Sequence, residues 1–510
     1  MLFNSIQFLI FFPVVTTIYY LIPKKVQYIW LLISSYFFYM GWNYKYALLL
    51  FITTVITYFG GGAIEYVVNH VENDKARDKY KKIILALGIV LNLGILGYYK
   101  YFSFTINMIN HVVETLHLGK SFQALDIILP VGISFYIFQA LGYLMDVYRR
   151  KIHAERNFLR YALFVSFFPQ LVAGPIERSE NLLMQLAKPV AFSYESFRKG
   201  LLLMLWGFFL KLVIADRAAI IVNVVYGNEN IYNGFYIIVA TFLFSMQIYC
   251  DFYGYSIIAR GTALVLGISL MDNFQAPYFS KSVKEFWRRW HISLSGWFRD
   301  YLYIPLGGNR LGMLRKELNL LIVFSLSGLW HGAAFSYIVW GLLNGIYQVL
   351  GECIFKIKGW ISKKIIAGEM TEAEAALKLR QKKTFSRNLR KRAVTFLLVS
   401  FAWLFFRAEG LVAAIGLIKN MFVFNWMILF DGSLFELGVE KHFFIVMLLA
   451  IVVLFFVDYQ KYRGKDVTEI LLNQEWWFRV IVEGSLLFSI LLFGCYGELY
   501  DTSEFIYFQF

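Results

Sequence analysis

The chain has 510 residues, 59% of them hydrophobic and only 16% charged, with a mean hydropathy of +0.57. A soluble domain averages about 45–50% apolar and about 25% charged residues, so water-soluble folds are excluded. The formal charge of +15 sits in short loops beside apolar runs, the signature of cytoplasmic loops, and this argues against a nucleic-acid partner.

The apolar runs are roughly 17–25 residues long, enough to cross about 30 Å of hydrocarbon as helix, and the alternating segments of a β-barrel are absent. The expected class is an all-α polytopic membrane protein. The first run, Phe3 to Ile22, has no basic region before it and no small-residue cleavage site after it, so it reads as a retained span. Lys24 and Lys25 then place a loop in the cytoplasm and the N-terminus outside. A second run reaches Gly41, GWNYKY turns outside, and a third run ends near Asn69. The charged stretch 70–82 (HVENDKARDKYKK) reads as a cytoplasmic loop. A fourth run covers Ile83 to Phe104, and a fifth ends at Val147. The basic stretch 148–160 follows inside.

Residues 158–275 continue with apolar runs broken at 168–180 (FPQLVAGPIERSE) and 215–234. Pro169 and Pro175 argue against a simple span at the first break, so a re-entrant or interfacial segment is expected. Residues 272–350 follow and hold two histidines that do not suit their surroundings. The first part, 272–310, is aromatic and basic and carries His291. The second is apolar and reads as a span. Between Leu318 and Leu350 its one Asp, Glu, Lys, Arg or His is His331. An imidazole in hydrocarbon costs free energy and titrates near neutral pH, so it is a candidate general base. A core histidine bonded to a neighbouring helix is the plainer alternative. His291, among Trp287, Trp290, Trp297, Phe298, Arg288, Arg289 and Arg299, lies either on an interfacial anchor or on the wall of an active-site entry. Two histidines without a third ligand do not make a zinc site, and no HExxH is present, so no metal is expected.

Cys250, Cys353 and Cys495 have neither CxxC nor metal-ligand spacing. Gly307-Gly308 reads as a turn, and Gly60-Gly61-Gly62 as a close helix contact. Residues 353–392 form a charged insert, expected in the cytoplasm, either solvated or lying on anionic lipid. Runs at 393–407, 441–457 and 478–496 complete the chain. The tail at 501–510 is expected outside and ends FIYFQF, too aromatic to fray. It is an interface anchor, or it docks and presents the Tyr507 hydroxyl. No tandem repeat or soluble domain is seen, so residues 1–510 read as one membrane unit with its core at 272–350.

The stretch WRRWHISLSGWFRDYLYIPLGGNR (287–310), followed by SGLWHGAAFSYIVWGLLNG (327–345), resembles the membrane-bound O-acyltransferase (MBOAT) family, in its bacterial alginate O-acetyltransferase branch. The upstream FPQLVAGPIER (168–178) and MQIYCDFYGYSIIARGTALVLGI (246–268) are similar to the same branch. A D-alanyl transferase is a more distant relative. The resemblance implies a ring of tilted helices around a central funnel in the bacterial cytoplasmic membrane. It implies catalytic roles for His331 and His291, and no bound cofactor. The donor would be acetyl-coenzyme A or an acyl carrier protein thioester, gripped by Arg288, Arg289 and Arg299 with Trp290 and Trp330. By analogy with a tyrosine-bearing C-terminal motif in a small partner of the D-alanyl transferase, Tyr507 would relay the acyl group. An external SGNH-like acyltransferase would then pass it to a polysaccharide. The expected activity is O-acetylation of a cell-surface polymer. D-alanyl transfer from a carrier protein and a proton-coupled transporter are the rivals.

Overall fold

A computed structural model describes residues 1–117, 119, 122–123, 125, 127–172, 174–228, 230–369, 385–423, 425–496 and 505–506, with backbone alone at 358, 361–369 and 429. Among the described residues there is no strand. Among these residues six helices are long and apolar enough to cross a membrane: Tyr44–His70, Asp74–Thr115, Phe235–Val265, Phe335–Ile357, Lys441–Tyr462 and Trp476–Phe493. The protein is an all-α, multi-pass membrane protein. It divides into two compact units, one built from Met1–Val213, Cys250–Asp272 and Thr468–Phe510, the other from Ile214–Tyr249 and Asn273–Val467.

The first unit opens with α1 (Ile6–Leu21), whose N-terminus is capped by the Ser5 hydroxyl, and α2 (Gln27–Met40). α3 (Tyr44–His70) and α4 (Asp74–Leu96) start at the side-chain caps Asn43 and Asn73. The charged stretch 70–82 was expected as a loop. Instead Asn73 starts a helix through it, and Lys81 pairs with Asp78 one turn away at 3.0 Å. α4 runs through a π turn into α5 (Phe102–Thr115), making one 42-residue helix. α6 (Ile133–Tyr148) is buried at nearly every position. The glycine run packs on it as expected, since a Cβ at Gly61 would stand 2.8 Å from the Tyr143 ring.

The first, second and fifth apolar runs form helices of only 16, 14 and 16 residues, shorter than the spans expected of them. Apolar composition reports burial, and protein can supply that burial as well as lipid. The proline-bearing break at 168–180 is irregular, as expected: α7 (Phe158–Ser166), α8 (Phe168–Leu171) and α9 (Ser179–Leu186) are short and buried on much of their surface. α10 (Tyr194–Phe209) continues through a π turn, Leu210–Ala215, into α11 (Asp216–Tyr226). The break expected from residue 215 therefore begins only after Tyr226. Arg217 is buried over the Phe443 ring at 4.3 Å, so the charge interrupts the hydropathy but not the helix. α10 crosses the second half of α12 (Phe235–Val265) backbone to backbone. Cβ atoms at Gly200 and Gly207 would lie 2.7 Å from the carbonyls of Gly261 and Gly254.

In the second unit, residues 273–312 do not span. They hold α13 (Val283–Arg289), α14 (Ile292–Phe298) and a π turn at Arg299–Tyr303. Gly307 and Gly308 form the expected turn, with φ of 102° and 55°. The apolar stretch 318–350 is a hairpin and not one span: α15 (Met313–His331) turns at 332–334 into α16 (Phe335–Glu369). α17 (Phe385–Arg407) starts inside the charged insert, so α16 and α17 carry much of it as helix. Residues 370–384 at its centre lie outside the described residues. α18 (Leu411–Met421) and α19 (Lys441–Tyr462) complete this unit. α20 (Val467–Leu472) leads back to the first unit, which closes with α21 (Trp476–Phe493).

The hairpin closes over glycine. A Cβ at Gly328 would stand 2.1 Å from the Tyr337 carbonyl oxygen, and one at Gly341 2.2 Å from that of Phe324. Neither oxygen can withdraw without unwinding its helix. Gly341→Ala should therefore destabilise the protein by about 1–3 kcal/mol. Gly351→Ala, on the same helix with nothing within 4 Å of its Cβ, should not. Thermal unfolding of the purified variants checks the contrast.

Candidate functional site

His291 sits at the corner between α13 and α14 with φ 45° and ψ 53°, a left-handed conformation that a β-carbon disfavours. Asn273 holds this corner. Its backbone carbonyl accepts from Ile292 N at 3.0 Å. Its side-chain oxygen accepts from Ser293 N at 3.2 Å and Ser293 Oγ at 2.9 Å, and faces His291 Nδ1 at 3.2 Å. A backbone N–H can only donate, so the Asn273 atom is an acceptor oxygen. The ring nitrogen facing it must therefore carry the proton, which leaves the lone pair of His291 on Nε2. His291 is wholly buried, and loss of hydration pushes its imidazole down to about 3, so the ring is neutral at physiological pH.

His331 is the last residue of α15, where the helix ends at the bend of the hairpin. It is 3% exposed. The two imidazole centroids are 6.2 Å apart. Around His331 stand Trp330 at 4.9 Å, Trp340 at 5.1 Å and Phe406 at 5.5 Å, from α15, α16 and α17. Trp330 also faces His291 at 6.0 Å. Trp290 lies behind the corner, 1% exposed, against Phe274, Phe286 and Trp403 at 5.0–5.3 Å. Trp287 ties α13 to α16 through its Nε1–H, which donates to Asn344 Oδ1 at 3.0 Å. Three helices and the 273–298 segment thus wrap two buried imidazoles in aromatic rings.

The structure brings His291, His331, Trp290 and Trp330 into one neighbourhood. The arginines are placed differently. Arg289 donates to Glu285 and to the Gln275 carbonyl, both at 3.1 Å, and lies over the Tyr462 ring. Arg299 is exposed and pairs with Asp300 at 2.7 Å. Arg288 is exposed and makes no ion pair among the described residues. Tyr507 lies outside the described residues, although Phe505 and Ile506 just before it are buried. No three His, Cys, Asp or Glu side chains converge as metal ligands among the described residues.

Asn273, Trp340, Trp403 and Phe406 were not expected in the site. Trp403 and Phe406 are spaced three apart in SFAWLFFR, a helical aromatic face that reads as core. Asn273 gives no local signal at all, because its role depends on a corner 18 residues away.

The description "MBOAT, membrane-bound O-acyltransferase family" matches residues 150–358. The chain is similar to a probable alginate O-acetylase, AlgI, of Pseudomonas syringae pv. tomato, 37% identical over 430 residues, covering 84% of this chain and 76% of the relative. It is also similar to a peptidoglycan O-acetyltransferase of Helicobacter pylori, 33% identical over 435 residues, covering 79% and 75%. A teichoic acid D-alanyltransferase of Bacillus subtilis is 30% identical over 250 residues, covering 46% of this chain and 60% of the relative.

Because His291 is held neutral when folded, its titration has a defined sign. Above pH 6.5 its imidazole is neutral both folded and unfolded. Between 6.5 and about 3 the unfolded chain binds a proton there that the folded chain does not. Stability from this residue is therefore present above pH 6.5 and is lost as pH falls, by at most about 1.4 kcal/mol per pH unit. The drop in unfolding midpoint from pH 7 to pH 5 should be smaller in His291→Asn than in the wild type.

Proposed function

The chain belongs to the membrane-bound O-acyltransferase family, and on that premise we propose that it takes an acyl group, an acetyl group first, from a cytosolic thioester for O-acylation of a cell-surface polysaccharide. The observation that carries this reading is the pair of buried imidazoles 6.2 Å apart in a closed aromatic surround. Acyl transfer to a hydroxyl needs a base that removes a proton as the new C–O bond forms and returns it to the departing thiolate as the C–S bond breaks. His331 is that base. Its imidazolium would form at the carbonyl end of α15, whose partial negative charge favours a cation. The rings of Trp330, Trp340 and Phe406, all within 5.5 Å, would add cation–π stabilisation.

His291 acts beside it as an acceptor. With Nδ1–H committed to Asn273, its Nε2 lone pair can take a hydrogen bond from the incoming hydroxyl and orient it. Asn273 is then a positioning residue. Arg288, exposed and in no ion pair among the described residues, is the arginine best placed to meet donor phosphate. Arg289 and Arg299 would first have to leave their carboxylates. Tyr507 supplies the first acceptor hydroxyl, and an external SGNH-like acyltransferase completes transfer to the polymer.

The relatives' names support a polymer acceptor: alginate, peptidoglycan and teichoic acid. Acetyl is favoured over D-alanyl because the two O-acetylating relatives cover 84% and 79% of this chain, and the D-alanyl transferase 46%. Transport is disfavoured by the state of its candidate carboxylates. Asp251 is paired with Lys211 at 2.6 Å, and Asp146 accepts from Ser179 at 3.3 Å.

Incubation with acetyl-coenzyme A, followed by mass spectrometry of the C-terminal peptide, should give an acetyl adduct at Tyr507. His331→Ala should slow its formation by about 10²–10⁴-fold, the worth of a positioned base. Adduct formation at the wild-type rate in a well-folded His331→Ala protein would exclude it as the base. Asn273→Leu should lower kcat by tenfold or more and leave donor KM nearly unchanged. An equal loss expressed in KM would make Asn273 a binding residue instead.

A further inference from the structure

We propose that the buried Lys211–Asp251 ion pair is the seat of the C-terminal segment, and that Asp251 is thereby a positioning residue for acyl transfer, a role that rests on the reading of Tyr507 as acyl relay. Asp251 lies on α12, and Lys211 in the π turn that follows α10. Their charged atoms are 2.6 Å apart, and the two side chains are only 4% and 5% exposed. Taking two charges out of water is costly, and a well-packed apolar pair often serves stability as well. A buried pair therefore needs a further reason, and the chain end supplies one.

The second carboxylate oxygen of Asp251 accepts from the backbone N–H of Ile506 at 2.8 Å, across 255 residues of sequence and fully buried. A hydrogen bond to a charged acceptor is roughly twice as strong as one to a neutral acceptor. Lys211 stands against the other oxygen of the same carboxylate. The Phe505 ring packs on Tyr255 at 4.6 Å and on Phe252 at 5.9 Å, and Tyr255 packs on Phe3 at 4.6 Å. Phe505 and Ile506 are each 2% exposed. A second tie lies upstream, where Cys495 N–H donates to the Leu212 carbonyl at 3.1 Å, in the residue next to Lys211. The π turn thus offers Leu212 to one end of the returning segment and Lys211, through Asp251, to the other. A free chain end ordinarily frays. At 506 the main chain is held by a backbone bond to a carboxylate, which restrains it whatever the side chain there. Tyr507 is the next residue.

Two double variants of the full chain test this. Lys211→Met with Asp251→Leu removes both charges and the acceptor, leaving no orphan ion. Lys211→Gln with Asp251→Asn removes the charges but keeps an acceptor oxygen. Both are first shown to be monodisperse with a cooperative unfolding transition. Hydrogen–deuterium exchange of the 494–510 peptide then reads the seat, and acetyl adduct formation reads the transfer. The expected result is tenfold or faster exchange in the Met/Leu variant, with a similar fall in adduct formation at unchanged donor KM. The Gln/Asn variant should fall between it and the wild type. Wild-type protection of the peptide in the folded Met/Leu variant would overturn the seat. A released peptide with wild-type transfer would overturn the positioning role. Tyr507→Phe, run alongside, addresses the relay itself. If transfer survives that change, the relay reading fails, while peptide exchange still decides the seat.

Discussion

One carboxamide oxygen holds the candidate site in register. Asn273 Oδ1 faces the His291 ring and takes both donors of Ser293, within 2.9–3.2 Å. Inside a membrane protein such bonds have no water to fall back on, so leaving one unmade carries the full desolvation cost. The left-handed backbone of His291 costs energy as well, and it persists because Asn273 binds the corner from main chain and side chain together. The result is an imidazole of one tautomer, neutral, with its lone pair on a known nitrogen. This is the kind of preorganisation that acid–base chemistry rewards.

The second histidine is placed by a different force. His331 stands where it does because α15 and α16 can approach until main chain touches main chain at Gly328 and Gly341. That contact puts the carbonyl end of α15 and the Trp340 ring at the same point. Trp403 and Phe406 of α17 then close the surround. The aromatic rings bury the imidazole and offer it polarisable faces that a purely aliphatic pocket would lack. Glycine and tryptophan thus serve one end: the first brings backbones together, and the second fills the space that remains.

In the first unit the same economy of polar groups appears at α10 and α12. Their glycines allow close crossing, and the Lys211–Asp251 pair beside that crossing meets the returning chain end. Both units therefore use a buried polar acceptor to hold a segment that hydrophobic packing alone would leave free to slide. Apolar contact is non-directional, whereas a hydrogen bond in low dielectric is not.

The sequence by itself determined the class of the molecule. A composition of 59% hydrophobic residues in long runs can be solvated only by lipid or by a large apolar interior. It also singled out His331, an imidazole in an apolar run, and His291, an imidazole amid aromatic and basic residues, both visible without coordinates, and the proline-bearing break at 168–180 as irregular. Tertiary structure decided the rest. It showed that runs of equal hydropathy become a span, a short buried helix or half a hairpin, because hydropathy measures burial and not what does the burying. It showed that the charges at 74–82 open a helix and that those at 216–217 continue one. It brought Asn273 to His291, and Asp251 to Ile506. Such pairings are bonds between groups far apart in the chain, and no local pattern of residues encodes a distance that only folding creates.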